Sequence, residues 1–471
     1  MNKINNLFKS DLGVANVGAQ TFSEELAQQD TQVVNIDWRP PAGGNEALIQ
    51  ALESLDREEV NAANAKAMKI IFSARPVLVD IRPAIEVIPR MTKTTILHAG
   101  PPITWDKMAK VMKGSIIGAL LFEGLANDVD EAIELAASGA ITFSPCHEHD
   151  AVGPMAGIIS PSMAVQVVEN KTHGNFAYCA MNEGLGKVLR YGVYTQEVID
   201  RLKWMASELA PVLSAAVKLA GGLDIRQLIA HSLHMGDEAH NRNKAGSMHF
   251  VREMSRWIVR TDFPKETITR VLDFISVQDH WSLYLTMPAC KTMQDAAYGI
   301  ENCTLVSALA RNGVELGLRI SGLPGQWFTG PAQMITGLLF PGFTMDDANP
   351  DMGDSSIAET TGLGAFAMGG APAMIQFVGG TVDDAIGYTL KMREIATEEN
   401  PNWTMPNLNF RGTPTGIDVR KVVQTGIVPN ITTGIAHKEP GMGQIGAGVT
   451  TAPMEAFEKA LLALSEKYGE K

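Results

Sequence analysis

Basic charge is in short supply in this chain relative to acidic charge. Its 39 Lys and Arg stand against 52 Asp and Glu, giving a formal net charge of −13. Nucleic-acid phosphates need a basic face, so the chain as a whole is not expected to bind nucleic acid or an anionic membrane. Any anionic ligand has to be met locally, by Arg, Lys, His or backbone N–H groups. Cysteine is scarce too: Cys146, Cys179, Cys290 and Cys303 lie far apart and form no Cys-x-x-Cys pair. That pattern fits a reduced cytosolic protein better than a disulfide scaffold. The opening MNKINNLFKSDLG lacks the apolar run of a signal peptide. One long uncharged stretch, 360–382, is broken by glycines and by Pro372. It reads as tightly packed interior rather than a membrane span. The expectation is a cytoplasmic protein with no membrane contact.

What is there suits a large core. Hydrophobic residues make up 45% and charged residues 19% of 471 positions, enough for two to four domains of roughly 100–200 residues each. GVANVG, TFSEELAQQ and TQVVNIDW, over residues 13–36, read as strand, helix, strand, a βαβ unit with Gly18 at its turn. Strand and helix patterns alternate to about 194, and 195–310 is almost wholly helical. After 312 strands return, with helices expected near 354–369, 382–397 and 452–467 and a strand pair near 421–436. The fold class is therefore α/β (mixed α+β), multi-domain, with a mainly helical domain inserted between α/β parts. The segments expected are 1–100, 101–194, 195–310 and 311–471.

The densest chemistry lies in HMGDEAHNRNK (234–244), where acids, bases and amides crowd between two helical patterns. Buried polar groups must be paired, so this mixture suits a polar network or a ligand site, and titratable clusters favour sites. Asp237 and His240 are candidates for proton transfer, Asn241 and Arg242 for substrate contact. SPCHEHDAVGPMAG (144–157) sets His147, Glu148, His149 and Asp150 at a strand end. His-x-His on a strand can hold a metal, with His240 or Asp237 as a third ligand. Acid/base work, anion contact or simple turn chemistry are the other readings.

Asn182 and Glu183 precede two glycines, where a carboxylate serves as a base or meets a helix dipole. Arg311 and Arg319 flank a probable strand and match carboxylate or phosphate oxygens bidentately; a salt bridge is the ordinary alternative. In DDANPDMGDSSIAETTG (346–362) a calcium-loop resemblance fails, because Met352 and Ala358 stand where Gly and Glu belong. GMGQIG (441–446) has dinucleotide-motif spacing but does not open a helix after a strand, so no nicotinamide cofactor is expected. Its glycines, Gly443 among them, still free backbone N–H groups for an anion beside His437 and Lys438.

Together the blocks WRPPAGG, HAGPP, PCHEHDAVGPMAG, AYCAMNEGLGKVLRYG, GDEAHNRNKAG, ARNGVELGLRISG, FPGFTMDDANPDMGDSSIAETTGLG and GIAHKEPGMGQIGAG resemble the signature blocks of the YlbE/YahG-like family, across nearly the whole chain. The resemblance implies α/β domains with a small helical domain. It also implies a subunit of an oxamate carbamoyltransferase-type complex, exchanging a carbamoyl group between oxalurate and phosphate to give oxamate and carbamoyl phosphate. An FdrA-type protein and a smaller third subunit would be its partners, and a homo-oligomer is also compatible. No cofactor is implied. The family supplies no established catalytic residue. The expected site is therefore read from chemistry inside the blocks: His147, His149, Glu183, Asp237 and His240 for proton transfer, and Arg39, Asn182, Asn241, Arg242, Arg311, Arg319, His437, Lys438 and Gly443 for substrate. A non-catalytic scaffold and a metal-dependent hydrolase or lyase are the rival readings.

Overall fold

The computed structural model describes residues 13–470, apart from 19, 30, 37 and 39. The expected βαβ unit is present: strands Gly13–Val17 and Gln32–Ile36 pair in parallel around helix Gln20–Ala27. Gly18, at φ +123°, makes the strand-to-helix turn, where a side chain would be strained. Helices Glu46–Ser54 and Glu58–Ser73 follow. The first is capped by Asn45, whose side chain accepts the N–H groups of Ala47 (3.1 Å) and Leu48 (3.3 Å).

A five-stranded sheet carries the middle of the molecule, in the order Ala151–Val152, Phe176–Ala180, Ala164–Asn170, Pro76–Pro83, Leu223–Asp224. It draws strands from three of the four segments suggested by the sequence. Thr95–His98 and Thr142–Pro145 form a separate parallel pair, joined by a crossover through helices Lys110–Glu123 and Val129–Ala137. From Gln196 to Ala296 the chain is helical apart from turns and the two-residue strand Leu223–Asp224. Helix Leu283–Ala296 runs through the interior with nearly every side chain buried. It contacts the five-stranded sheet, helix Glu58–Ser73 and strand Val306–Asn312.

The C-terminal part adds a four-stranded sheet (Phe328–Pro331, Glu315–Ile320, Val306–Asn312, Met352–Gly353). It also adds a three-stranded sheet, Thr336–Leu339, Gln444–Thr451, Asn430–Ala436. Helix Met454–Tyr468 packs over the first of these. Strand Val306–Asn312 is buried along its length and divides two apolar cores. Ala308 joins Ile71, Val168, Trp281 and Met287 on one side, while Val306 and Leu309 join Leu48, Leu318, Phe366 and Leu461 on the other. The molecule is thus a mixed α/β protein with several sheets. No helix among the described residues is long and apolar enough to cross a membrane.

Two local expectations differ. Instead of one helix over 354–369, there is a single turn Ile357–Thr360 and a tighter helix Gly364–Gly370. Gly362 and Gly364, both at positive φ, break the run between them. The stretch 419–425 is helix rather than strand, its N-terminus capped by Asp418 through the Arg420 N–H.

Candidate active site

The polar stretch 237–243 is a loop between helices Ile225–His234 and Lys244–Ile258, and most of it is buried. The Glu238 carboxylate is fully buried and folded into its own loop. It accepts the backbone N–H groups of His240 (2.6 Å), Asn241 (2.5 Å) and Arg242 (2.7 Å). Asp237 accepts the N–H of Gly246 at 2.9 Å, in the first turn of the next helix, where a carboxylate also meets the helix dipole. Burial pushes the Asp237 carboxyl up to about 6 and the Glu238 carboxyl up to about 7. Both acids hold the loop's shape: Asp237 Oδ2 clamps the next helix, while its Oδ1 is buried without a hydrogen bond, 3.4 Å from Arg242 Nε.

His240 is held differently. Its Nδ1 lies 2.8 Å from Oε1 of Glu359, a carboxylate with no solvent exposure. The same oxygen accepts the N–H of Thr432 at 3.1 Å and of Ala365 at 3.3 Å. Gly364 closes the arrangement: its N–H donates to the Glu238 carbonyl at 2.9 Å, and a Cβ there would collide with Glu359 Oε1. The pair therefore fixes the imidazole with Nδ1 toward Glu359. Among the described residues Nε2 has no hydrogen-bond partner, and His240 lines a small cleft of about 30 Å³.

Polar side chains that wall this cleft include Asn241, Arg190, His280, Tyr284, Ser355 and Gln444. Asn241 is anchored by its Nδ2, which donates to the Thr433 carbonyl at 3.3 Å. Burial pushes His280 down to about 4, with the Arg190 charge adding to the effect, so this imidazole is neutral near pH 7. Arg190 is buried, donates from Nη2 to the Gly184 carbonyl, and faces the rings of Tyr191 and Tyr284 at 5.2 and 5.5 Å. Arg190 also lines a second small cavity of about 30 Å³, mostly apolar, together with Glu183. Glu183 accepts the N–H groups of Leu189 (2.7 Å) and Arg190 (3.4 Å). Asn182 accepts that of Gly184 at 2.6 Å. Both shape the loop that carries Arg190.

The remaining candidates lie elsewhere or are spent on structure. Arg311 is buried and donates to Asp351 (2.6 and 3.0 Å), the Gly353 carbonyl, Ser356 and Thr433. A guanidinium has five N–H donors, so none is left for a substrate, which corrects the expectation of a clamp. His149 is likewise occupied on both nitrogens, by the Pro89 carbonyl (2.7 Å) and Ser144 (2.9 Å), which removes it as a proton shuttle. His147 is buried against Trp327 with neither nitrogen hydrogen-bonded, and its Nε2 lies 3.8 Å from Asp354. Burial, with the charges of Lys291 and Arg319, pushes it far below the ordinary histidine range. Arg319 bonds the His147 carbonyl (3.0 Å) and the Tyr298 hydroxyl (2.7 Å).

Arg242 donates to the Gly236 carbonyl at 3.1 Å. Lys438 donates to the Asp346 carbonyl and His437 accepts the Glu439 N–H at 2.9 Å, so both fasten the loop before strand Gln444–Thr451. Gly443 approaches Gly186 so closely that a Cβ would lie 2.7 Å from its carbonyl oxygen. That glycine serves loop packing rather than an anion nest. Arg39 lies outside the described residues. Among the described residues no three His, Cys, Asp or Glu side chains are placed to hold a metal ion. Cys146 is buried, its thiol pushed well up by burial.

Of the expected residues, His240 and Asn241 line this cleft. They share it with Arg190, His280 and Tyr284, and Glu359 backs His240; sequence reasoning did not select these four. Glu359 carried one signal, as a lone acid beside the long uncharged run.

These residues fall in or beside the region of recognisable kinship. A family model described as oxamate carbamoyltransferase subunit AllG matches residues 141–355, which include Arg190, His240, His280 and Tyr284. The uncharacterised protein YahG of Escherichia coli (strain K12) is 50% identical over 467 residues, 98% of this chain and 99% of that protein. The oxamate carbamoyltransferase subunit AllG of the same organism is 47% identical over 413 residues, 87% of this chain and 99% of that protein. A crystal structure of a conserved protein of unknown function from Enterococcus faecalis V583 superposes with a TM-score of 0.86 at 51% identity, covering 88% of this chain and 99% of that one. With likeness of that extent, the chain belongs to the AllG/YahG-like family.

Proposed function

We propose that this chain is a subunit of a carbamoyltransferase-type complex and that the cleft at His240 is its reaction site. The proposed substrates are oxalurate- or oxamate-like ureides with phosphate or carbamoyl phosphate. An FdrA-type protein and a smaller third subunit are the proposed partners, in the cytoplasm. The observation that carries the reading is the His240–Glu359 pair, with Nε2 on a cleft walled by further polar side chains. The kinship with a named oxamate carbamoyltransferase subunit supplies the reaction class.

In the direction of oxalurate synthesis, the amide nitrogen of oxamate attacks the carbonyl carbon of carbamoyl phosphate. A C–N bond forms, the C–O bond to phosphate breaks, and the amide nitrogen loses one proton. In this reading His240 Nε2 takes that proton, while Glu359 holds Nδ1–H and steadies the imidazolium. In the phosphorolytic direction the same imidazolium returns the proton to the departing nitrogen. Ser355 and Asn241 are available to donate to the carbamoyl oxygen as charge builds there.

The test is turnover by the complex reconstituted from this chain, the FdrA-type protein and the small subunit, with oxalurate and phosphate. His240→Gln and Glu359→Gln should each lower kcat by roughly 10²–10⁴-fold with the complex intact. Full turnover by an intact His240→Gln complex would assign the chemistry to another subunit and leave this chain a scaffold.

A further inference from the structure

Arg190 stands out among the buried cations. Arg311, fully buried, has every N–H donor used and a carboxylate at 2.6 Å. Among the described residues Arg190 has no carboxylate within ion-pair distance, and its Nη1 is buried without any hydrogen-bond partner. Two tyrosine faces hold its plane, which orients the charge without neutralising it. Glu183 and the two tyrosines offset part of the cost of burying this charge, but the Nη1 donors stay unsatisfied, which is costly in a buried group. The cleft it faces is lined by no Asp, Glu or Lys, and Arg190 is the one permanent charge in that lining. The Tyr284 hydroxyl, also buried and unpartnered, lines the same cleft. The nearest acid behind Arg190, Glu183, spends its oxygens on backbone N–H groups.

We propose that Arg190, with the Tyr284 hydroxyl, is the oxyanion-binding element of the cleft, taking a carboxylate or phosphate oxygen pair of a small substrate. This rests on the cleft at His240 being the reaction site. It adds the substrate class, a compact anion, and its orientation: the anionic end against Arg190, the reacting nitrogen or carbonyl toward His240. The guanidinium serves either ligand, because carboxylate and phosphate present the same pair of oxygens.

The test is calorimetric binding of inorganic phosphate and of oxamate, each alone and in competition, to the full chain and to the complex. The wild-type protein should bind at least one of them. Arg190→Gln should weaken that binding roughly 10- to 100-fold, Arg190→Lys should recover part of it, and Tyr284→Phe should weaken it less than Arg190→Gln. Competition between the two anions assigns both to Arg190; binding of one alone assigns that one. Absence of binding by the wild type, or unchanged binding by a folded Arg190→Gln protein, overturns the proposal. If Arg190→Gln does not fold, crystals of the wild type with the bound anion decide. An anion oxygen about 3 Å from Nη1 supports the assignment, and an anion seated elsewhere overturns it. His240→Gln separates the two readings. It should bind the anion normally, so lost turnover with retained binding concerns His240, and lost binding in Arg190→Gln concerns only the anion site.

Discussion

At the scale of single residues, buried histidines tie stability to pH. His98 is fully buried, gives Nδ1 to the Ala99 carbonyl at 2.9 Å, and leaves Nε2 without a partner. A second proton would place a charge on that unpartnered nitrogen, so burial pushes the group down to about 4 from the ordinary 6.5. The folded form therefore resists protonation while the unfolded chain accepts it near 6.5. The stabilising effect is complete above pH 6.5 and is lost as pH falls through 4. Unfolding of wild type and His98→Gln by urea at pH 7 and pH 4 should show the wild type losing about 3 kcal/mol more than the variant. Other titrating groups are common to both proteins and drop out of that difference. Equal losses would mean that His98 is protonated in the folded state.

The same scale shows why the site was only half visible in the sequence. The crowding at 237–243 marked His240 and Asn241, but it also promoted Asp237, whose carboxylate is a helix clamp. Residue types did not separate a histidine backed by a distant acid from one, such as His149, tied to a nearby carbonyl. Arg190 lies in AYCAMNEGLGKVLRYG, where residue type alone does not distinguish it from other basic residues. Its meaning depends on burial and on Tyr284, which is distant in the chain.

At the scale of elements, two glycines make opposite predictions. Gly364 opens the helix Gly364–Gly370 at φ +60°, with its α-carbon against Glu359 and His240. Gly364→Ala must displace the carboxylate or strain the backbone, so it should cost roughly 1–3 kcal/mol and lower turnover along with stability. Gly387 lies exposed inside helix Val382–Arg393, and a Cβ there would meet nothing within 4 Å. Gly387→Ala should stabilise by about 0.5–1 kcal/mol and leave turnover unchanged. Thermal unfolding of both variants checks the pair. A harmless Gly364→Ala would mean that the loop yields freely, and that Glu359 does not depend on this close approach for its position.

At the scale of the whole molecule, periodicity exposed what is local and missed what is assembled at a distance. The βαβ unit at 13–36, the helical stretch after 195 and the closing helix Met454–Tyr468 follow from hydrophobic period and turn residues. Membership of the five-stranded sheet does not, because Ala151–Val152 and Leu223–Asp224 are two-residue strands whose partners lie elsewhere in the chain. The two cores begin at Leu48 and Ala63 in chain order, so neither uses the βαβ unit. That unit leaves Val17, Phe22, Val34 and Trp38 largely exposed. Apolar side chains stabilise only as far as they leave water, at about 25 cal/mol per Å² buried, so the unit adds little to the stability of the rest. A chain lacking the βαβ unit, 13–36, should therefore melt within about 2 °C of the full chain, since a difference of 1 kcal/mol moves the midpoint of a domain of 150–250 residues by roughly 2–4 °C. It should also keep the His240 cleft intact, with unchanged anion binding. A larger fall in the calorimetric midpoint would show that the unit packs on the body of the protein and that the two cores are not self-sufficient.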